Sequence, residues 1–267
     1  MGVLEDKVAV VTGGASGIGL ASATLMAEQG ARLVVVDIDG AGAERAAASI
    51  GGVAVRADVS SSSQWSSVVD SVRGLGGVDV VYLNAGVTTG QEDLTLLGDE
   101  QYRRITGVNV DGVVFGARAL LPELEARGGG AIVMTASIAG LVAFPADPMY
   151  TMTKHAVVGL ARALAPRLAE KGVTVNAICP GLVDTPLIDG EVRDALAGSG
   201  FPLIDASSVA EAVLAAAVGT ETGQAIVVQA GREPTPYRFG RAPGPRAPGA
   251  EGKIPPGWLA DQSGPRS

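Results

Sequence analysis

Tyr150 and Lys154 stand four residues apart in the segment "MYTMTKHAVVG" (149–159). On a helix that spacing puts both side chains on one face, one turn apart, so that an ammonium lies beside a phenol. A neighbouring cation favours phenolate and lowers the pKa at which the phenol gives up its proton. An amphipathic helix with an incidental Tyr and Lys fits the same segment, so these residues alone leave both readings open.

A second cluster with chemical content lies near the N-terminus. "TGGASGIG" (12–19) follows directly on an apolar run and carries Gly13, Gly17 and Gly19, with Ser16 and Ile18 between them. Glycines at such a strand-to-helix turn let the backbone approach a pyrophosphate that rests on the first N–H groups of the helix. The spacing is G-x-x-x-G-x-G rather than the common G-x-G-x-x-G, and its position before the first helix carries the signal. At the end of the next apolar run "VVVDID" sets Asp37, followed by Ile38, where a carboxylate can accept hydrogen bonds from both hydroxyls of an adenosine ribose. A 2′-phosphate would meet like charge there, and no Lys or Arg replaces Ala15 or Ser16 or directly follows Asp37. The expected cofactor is therefore NAD rather than NADP. Asp58 and Val59 are expected near the adenine, and Asn84, Ala85 and Gly86 near the cofactor ribose.

The elements that must position these residues follow from the apolar pattern. Runs at 7–12, 31–37, 52–58, 78–86, 131–137, 173–181 and 224–231 read as strands, nearly continuous in hydrophobicity, as when helices cover both faces of a parallel sheet. Amphipathic stretches at 17–29, 42–50, 62–73, 101–126, 148–170 and 207–218 read as helices. The alternation predicts an α/β fold, a single doubly wound Rossmann domain over 1–230 with about seven parallel strands. Residues 185–206 break the alternation just after a strand's C-terminal end, where ligands bind in such sheets, and are expected to form a lid. From Gly231 onward the chain is rich in Pro and Gly, with six basic and three acidic side chains. A tail of that composition builds no core of its own.

Bulk properties exclude several classes. The chain has 267 residues, 47% hydrophobic and 18% charged, enough for one sizeable core. A formal charge of −8 argues against a nucleic-acid surface. No apolar run is long enough for a bilayer, and the first residues lack a signal-peptide pattern, so a cytoplasmic protein is expected. With one Cys and one His, neither a zinc site nor a Ser-His-Asp hydrolase has the residues it needs, and no metal is expected. Cys179 reads as an inert core thiol and His155 as structural.

Taken in order, "TGGASGIG", "DV" at 58, "NAG" at 84, "NVDG" at 109, "TAS" ending at Ser137, "YTMTK" at 150 and "PGLVDT" at 180 resemble the classical short-chain dehydrogenase/reductase family over about residues 5–231. Within it, "SIAGL", "YTMTKH" and "NAICPGLVDT" are similar to the branch containing NAD-linked 15-hydroxyprostaglandin dehydrogenases. "VVQAG" replaces the family's common Val-Asp-Gly-Gly, and the tail is longer than usual. The resemblance implies a catalytic tetrad. Tyr150 would be the acid/base, and Lys154 would lower its pKa and hold the nicotinamide ribose. Ser137 would orient the substrate oxygen, and Asn109 would hold a water in a proton relay. Pro180, Gly181, Val183 and Thr185 would line the nicotinamide. The substrate pocket is expected from Ile138, Leu141, Val142, Phe144, Asp147, Met149, Leu187, Ile188, Phe201 and Leu203, mostly apolar, which suits a hydrophobic secondary alcohol or its ketone. Asp147 is expected at the pocket mouth, where it would repel a carboxylated substrate unless Arg193 or Arg238 intervenes. The family resemblance also implies a homotetramer packed through the helices near 101–126 and 148–170. Two other classes fit the same fold: a non-catalytic dinucleotide-binding scaffold, and an epimerase or dehydratase that recycles bound NAD.

Overall fold

A computed structural model describes residues 2–240 together with 248, 249 and 253. The rest of the expected tail lies outside the described residues. The elements run β1 (Val8–Thr12), α1 (Gly17–Glu28), β2 (Arg32–Asp37), α2 (Gly40–Ile50), β3 (Val53–Arg56), α3 (Trp65–Gly74), β4 (Val80–Leu83), α4 (Asp99–Thr106), α5 (Gly112–Ala126), β5 (Gly130–Thr135), α6 (Pro148–Ala169), β6 (Val173–Pro180), α7 (Gly190–Ser199), α8 (Ala206–Val218), β7 (Ala225–Val228) and β8 (Thr235–Pro236). They form one compact unit that ends at Pro236. Beyond it, the rings of Tyr237 and Phe239 meet edge to face at 5.0 Å.

The sheet order is β3-β2-β1-β4-β5-β6-β7-β8, parallel throughout except for β8. The chain winds outward from β1 in one direction and restarts beside it with β4. The C-terminal ends of β1 and β4 therefore flank the crevice that a doubly wound sheet opens to ligands. Alternate side chains feed two cores. Val10, Val34 and Val36 pack with Trp65, Leu120, Val157 and Ala161 beneath α3, α5 and α6, while Ala9, Val11 and Val35 pack with Met26, Ala46, Val209 and Val213 beneath α1, α2 and α8. Burial on both faces is why the strands read as unbroken apolar runs.

At the opposite edge of the sheet, Asp79 ties three elements together. Its carboxylate accepts from the Val8 N–H at 3.0 Å and pairs with Lys7 at 3.2 Å and Arg127 at 3.1 Å. Burial pushes its pKa up, but the bonds from Val8, Arg127 and Lys7 outweigh that and hold it below its ordinary value.

Two elements differ from the sequence reading. The helix expected over 101–126 runs from Asp99 to Ala126 but widens into one π-helical turn at Gly107–Asp111, where the Gly112 N–H bonds to the Gly107 carbonyl. The two glycines lie against Ser60 and Val59, so close that a side chain on either would press into them. An inserted turn of this kind re-aims the residues it contains, here Asn109. The second difference is β8. The tail expected from Gly231 opens with a short strand, in which Thr235 and Pro236 pair antiparallel with Val227 and Ile226. Proline is tolerated there because β8 is the edge strand and needs no outward donor.

Candidate active site

The glycine loop closes over the end of β1. Gly13 and Gly17 have φ of +64° and +52°, and a Cβ on Gly19 would run into the Gly13 carbonyl and the Asn84 amide. Ser16 is the N-cap of α1 but makes no side-chain capping bond. The first-turn N–H groups are thus left without a side-chain cap beneath a glycine cradle, which is the donor set a pyrophosphate needs. These residues fit a dinucleotide. Gly17 faces Thr185, whose Cβ would stand 3.2 Å from a side chain built there, so "PGLVDT" borders the same crevice.

Asp37 ends β2 beside this loop. Its Oδ2 accepts from the Ala15 N–H and its Oδ1 from the Asp39 N–H, both at 3.0 Å, so it fixes the loop as well as presenting a carboxylate. Ile38 beside it is exposed. Asp58 Oδ1 is engaged in its own turn by the N–H and hydroxyl of Ser60. The Val59 side chain is buried against Gly112, which leaves its backbone rather than its side chain for any ligand.

"NAG" at the end of β4 is tied to β1. Asn84 Nδ2 donates to the Thr12 carbonyl at 3.0 Å, and Thr12 Oγ1 accepts from the N–H groups of Asn84 and Ala85. The asparagine is therefore a strut between β1 and β4, and its side chain is spent on the protein. Tyr82 Oη donates to Asn84 Oδ1 at 3.2 Å, and Thr135 Oγ1 reaches Tyr82 Oη at 2.7 Å. Burial drives the Tyr82 phenol well above its ordinary pKa, so it stays protonated. Thr12, Tyr82 and Thr135 were not singled out from sequence. Thr135 had a signal, since it lies two residues before Ser137 and strand residues at that spacing share a face.

The Tyr150 helix is started by Asp147 as N-cap with Pro148 after it, a favourable pair of residues for those positions. Lys154, 3% exposed, donates from Nζ to the Thr135 carbonyl at 2.8 Å and lies 5.4 Å from the Tyr150 ring centroid. A Cβ on Gly86 would fall 3.3 Å from Lys154 Nζ and 3.5 Å from Asn109 Oδ1, which puts both side chains around the end of β4. Ser137 opens the turn Ile138–Gly140, its Oγ accepting from the Ala139 N–H at 3.1 Å. Tyr150, Lys154, Ser137 and Asn109 are thus gathered at the C-terminal edge of the sheet.

Burial pushes the Tyr150 phenol up to about 12; the Ser137 hydroxyl pulls it down, and the Asp147 carboxylate adds to the rise. Burial likewise pushes the Lys154 ammonium down to about 8, with Cys179 opposing. Among the chain's own groups, desolvation dominates the phenol. Cys179 is fully buried and its thiol pushed up to about 12, as befits an unreactive core residue.

Two further expectations are corrected. Asn109 is fully buried and does not offer its side chain to a relay water. Its Oδ1 accepts from the Val87 N–H at 2.8 Å, and its Nδ2 donates to the Val87 carbonyl and to Thr153 Oγ1. Nor does Asp147 face a pocket mouth. It is 2% exposed and turned inward, with Oδ1 accepting from the Tyr150 N–H and the Thr89 hydroxyl and Oδ2 from the Thr89 and Gly90 N–H groups. A carboxylate beside four converging donors has no reason to project into solvent. Met149 is also buried, whereas Val142, Phe144, Leu187 and Phe201 are exposed. Arg193 on α7 is committed to Asp184 and the Thr185 carbonyl. Gln229, in the departure "VVQAG", lies in contact with Gly181.

A doubly wound sheet with a glycine cradle, an acidic β2 terminus and a half-buried tyrosine beside a buried lysine defines a dinucleotide-binding protein of the dehydrogenase type. Residues 7–195 match the family model for short chain dehydrogenase, and the chain belongs to that family. It is 37% identical over 191 residues to 2-(R)-hydroxypropyl-CoM dehydrogenase of Xanthobacter autotrophicus, covering 68% of this chain and 76% of that one. It is 36% identical over 190 residues to cyclohexanol dehydrogenase of an Acinetobacter species, covering 69% and 76%. Among solved structures, 3-ketoacyl-(acyl-carrier-protein) reductase from Brucella melitensis complexed with NADH superimposes with a TM-score of 0.79 at 35% identity, over 86% of this chain and 99% of that one. Among the described residues no group of His, Cys, Asp and Glu could hold a metal ion, and no helix is long and apolar enough to cross a membrane.

Proposed function

We propose that this protein is an NAD-dependent oxidoreductase that moves a hydride between the nicotinamide and a hydrophobic secondary alcohol or its ketone. The observation that carries the reading is the convergence of Tyr150, Ser137 and Lys154 at the sheet edge bordered by the glycine loop, with Lys154 anchored on the Thr135 carbonyl. When bound, the nicotinamide supplies the hydride acceptor or donor. Tyr150 takes the alcohol proton in oxidation and returns it in reduction. Ser137 holds the reacting oxygen close to the phenol. Lys154 binds ribose hydroxyls, and its charge together with that of the oxidised nicotinamide opposes the desolvation that raises the phenol in the chain alone. Gly13, Ser16, Gly17, Ile18 and Gly19 hold the pyrophosphate, while Asp37 and Ile38 take the adenosine end. Pro180, Gly181, Val183 and Thr185 bound the nicotinamide end.

Exposed Val142, Phe144, Leu187 and Phe201 supply an apolar lip, and residues 185–206 with α7 form the lid. A neutral substrate follows from that lip, and cyclohexanol, after which one relative is named, is a reasonable first probe. The reading does not extend to the prostaglandin branch. Its assembly is a cytoplasmic homotetramer, supported by exposed Tyr102, Val114 and Met152 on α4, α5 and α6.

The deciding experiment measures NADH and NADPH formation on neutral and carboxylated secondary alcohols, with Tyr150→Phe beside the parent. Turnover with NAD on neutral alcohols, lowered by about 10²–10⁴ in the variant while NADH still binds, is the expected result. Equal turnover in both would remove Tyr150 from the chemistry. NADH binding without turnover on any alcohol would favour the non-catalytic class.

A further inference from the structure

The proposed chemistry leaves one buried charge without a role. Asp147 is 2% exposed, and its four donors come from two segments that are far apart in sequence. The Tyr150 N–H (2.9 Å) belongs to the first turn of α6. The Thr89 hydroxyl (2.7 Å), the Thr89 N–H (2.8 Å) and the Gly90 N–H (3.0 Å) belong to the stretch that leaves β4 after Gly86. Helix capping needs only the first of these bonds. The other three fasten a loop.

That loop is held from its other end by Asn109, whose amide reads both backbone groups of Val87. It starts beside Lys154 at Gly86 and continues to exposed Leu94 and Leu96. It therefore runs from the sheet edge where the Tyr150–Lys154 pair lies to an apolar surface. A buried carboxylate with charge-assisted bonds is costly to leave unpaired, so the clamp holds only while both segments stay together.

We propose that Asp147 is a positioning residue that clamps residues 87–90 to the first turn of the Tyr150 helix, so that the substrate rim and the phenol are held as one unit. This inference rests on the reading of Tyr150 as the acid/base. It has two separable consequences. Loosening the rim weakens binding of the alcohol but not of the dinucleotide, whose loop hangs from Thr12 and Asn84. The carboxylate is also an anion close to the phenol, which faces Lys154, Cys179 and Ser137 as well. Removing the Asp147 charge eases phenolate formation, whereas removing the Thr89 hydroxyl does not.

The test uses the full chain with NADH bound and compares Asp147→Asn with Thr89→Val. Asparagine remains a good N-cap, so the fold survives. In Asp147→Asn, amide exchange at Thr89 and Gly90 is expected to quicken about tenfold, the alcohol KM to rise about fivefold or more, and NADH affinity to stay unchanged. The apparent pKa that governs alcohol oxidation moves down in Asp147→Asn and stays put in Thr89→Val, which shares only the KM rise. Unchanged exchange at Thr89 and Gly90 in Asp147→Asn overturns the clamp, as does a fall in NADH affinity matching the KM rise, or a pH shift of equal size in both variants. Should the parent fail to oxidise any alcohol, the role of Tyr150 falls, and the exchange measurement alone still decides whether the clamp exists.

Discussion

Lys154 Nζ donates to the main-chain carbonyl of Thr135 at 2.8 Å, and the Thr135 hydroxyl belongs to the buried network of Tyr82 and Asn84 that ends on the Thr12 carbonyl of the glycine loop. One set of hydrogen bonds thus spans from the cradle for phosphate to the lysine of the Tyr–Lys pair, across the ends of β1, β4 and β5. Among the described residues the lysine has no carboxylate partner, and its charge is held by a carbonyl dipole in a buried setting.

That setting has a consequence for stability against pH. The Lys154 pKa is about 8 in the folded chain against an ordinary 10.5, so between these values the unfolded chain binds the extra proton and stability rises with pH. Cys179 acts the other way above 9.0 and Tyr150 above 10.0, because both have folded values of about 12. Urea unfolding of the chain is therefore expected to show rising stability from about pH 8 to 9 that is absent in Lys154→Met. Coincident pH curves for the two proteins would mean that Lys154 keeps its ordinary pKa.

Replacing Asp37 by Asn removes the charge while preserving an acceptor for the Ala15 N–H. The ratio of kcat/KM for NADP to that for NAD is expected to rise by about tenfold or more, equivalent to roughly 1.4 kcal/mol. No change in that ratio would show that the carboxylate does not face the ribose.

Gly19→Ala tests the cradle. The new methyl would meet the Gly13 carbonyl and the Asn84 amide, so the loop must open. NADH affinity measured by fluorescence titration is expected to fall at least about tenfold, and an unaltered affinity would place the dinucleotide elsewhere.

Asp79→Asn makes a contrasting case at the far edge of the sheet. Weakening the bonds to Lys7, Arg127 and Val8 is expected to cost about 1–3 kcal/mol of stability, with the loss confined to pH above the carboxylate's depressed folded pKa, since a group held below its ordinary value stabilises only when ionised. KM values for cofactor and alcohol should not move, and a changed KM would couple this edge to the site.

Much of this architecture was legible in the chain because the central strands β1, β2, β4, β5 and β6 are buried on both faces and stand out as apolar runs between amphipathic helices. The glycine loop and the Tyr150–Lys154 pair were legible because their function is tied to local spacing. What the sequence hid depends on contacts between distant segments. Asp147 looks like a free charge until Thr89 and Gly90 are folded against it, and Asn109 looks like a relay side chain until the π turn aims it at Val87. Tyr82 reads as one more apolar strand residue, since nothing local reveals that Asn84 and Thr135 meet its hydroxyl.

The two-residue strand at Thr235–Pro236 closes one margin of the sheet. Without it, the outer backbone groups of β7 would lie open as a template for another chain, the usual route to edge-to-edge aggregation. With it, the last strand exposes a proline, which offers no N–H to an incoming partner. A chain shortened to end before Thr235 should therefore lose colloidal solubility sooner than it loses its core.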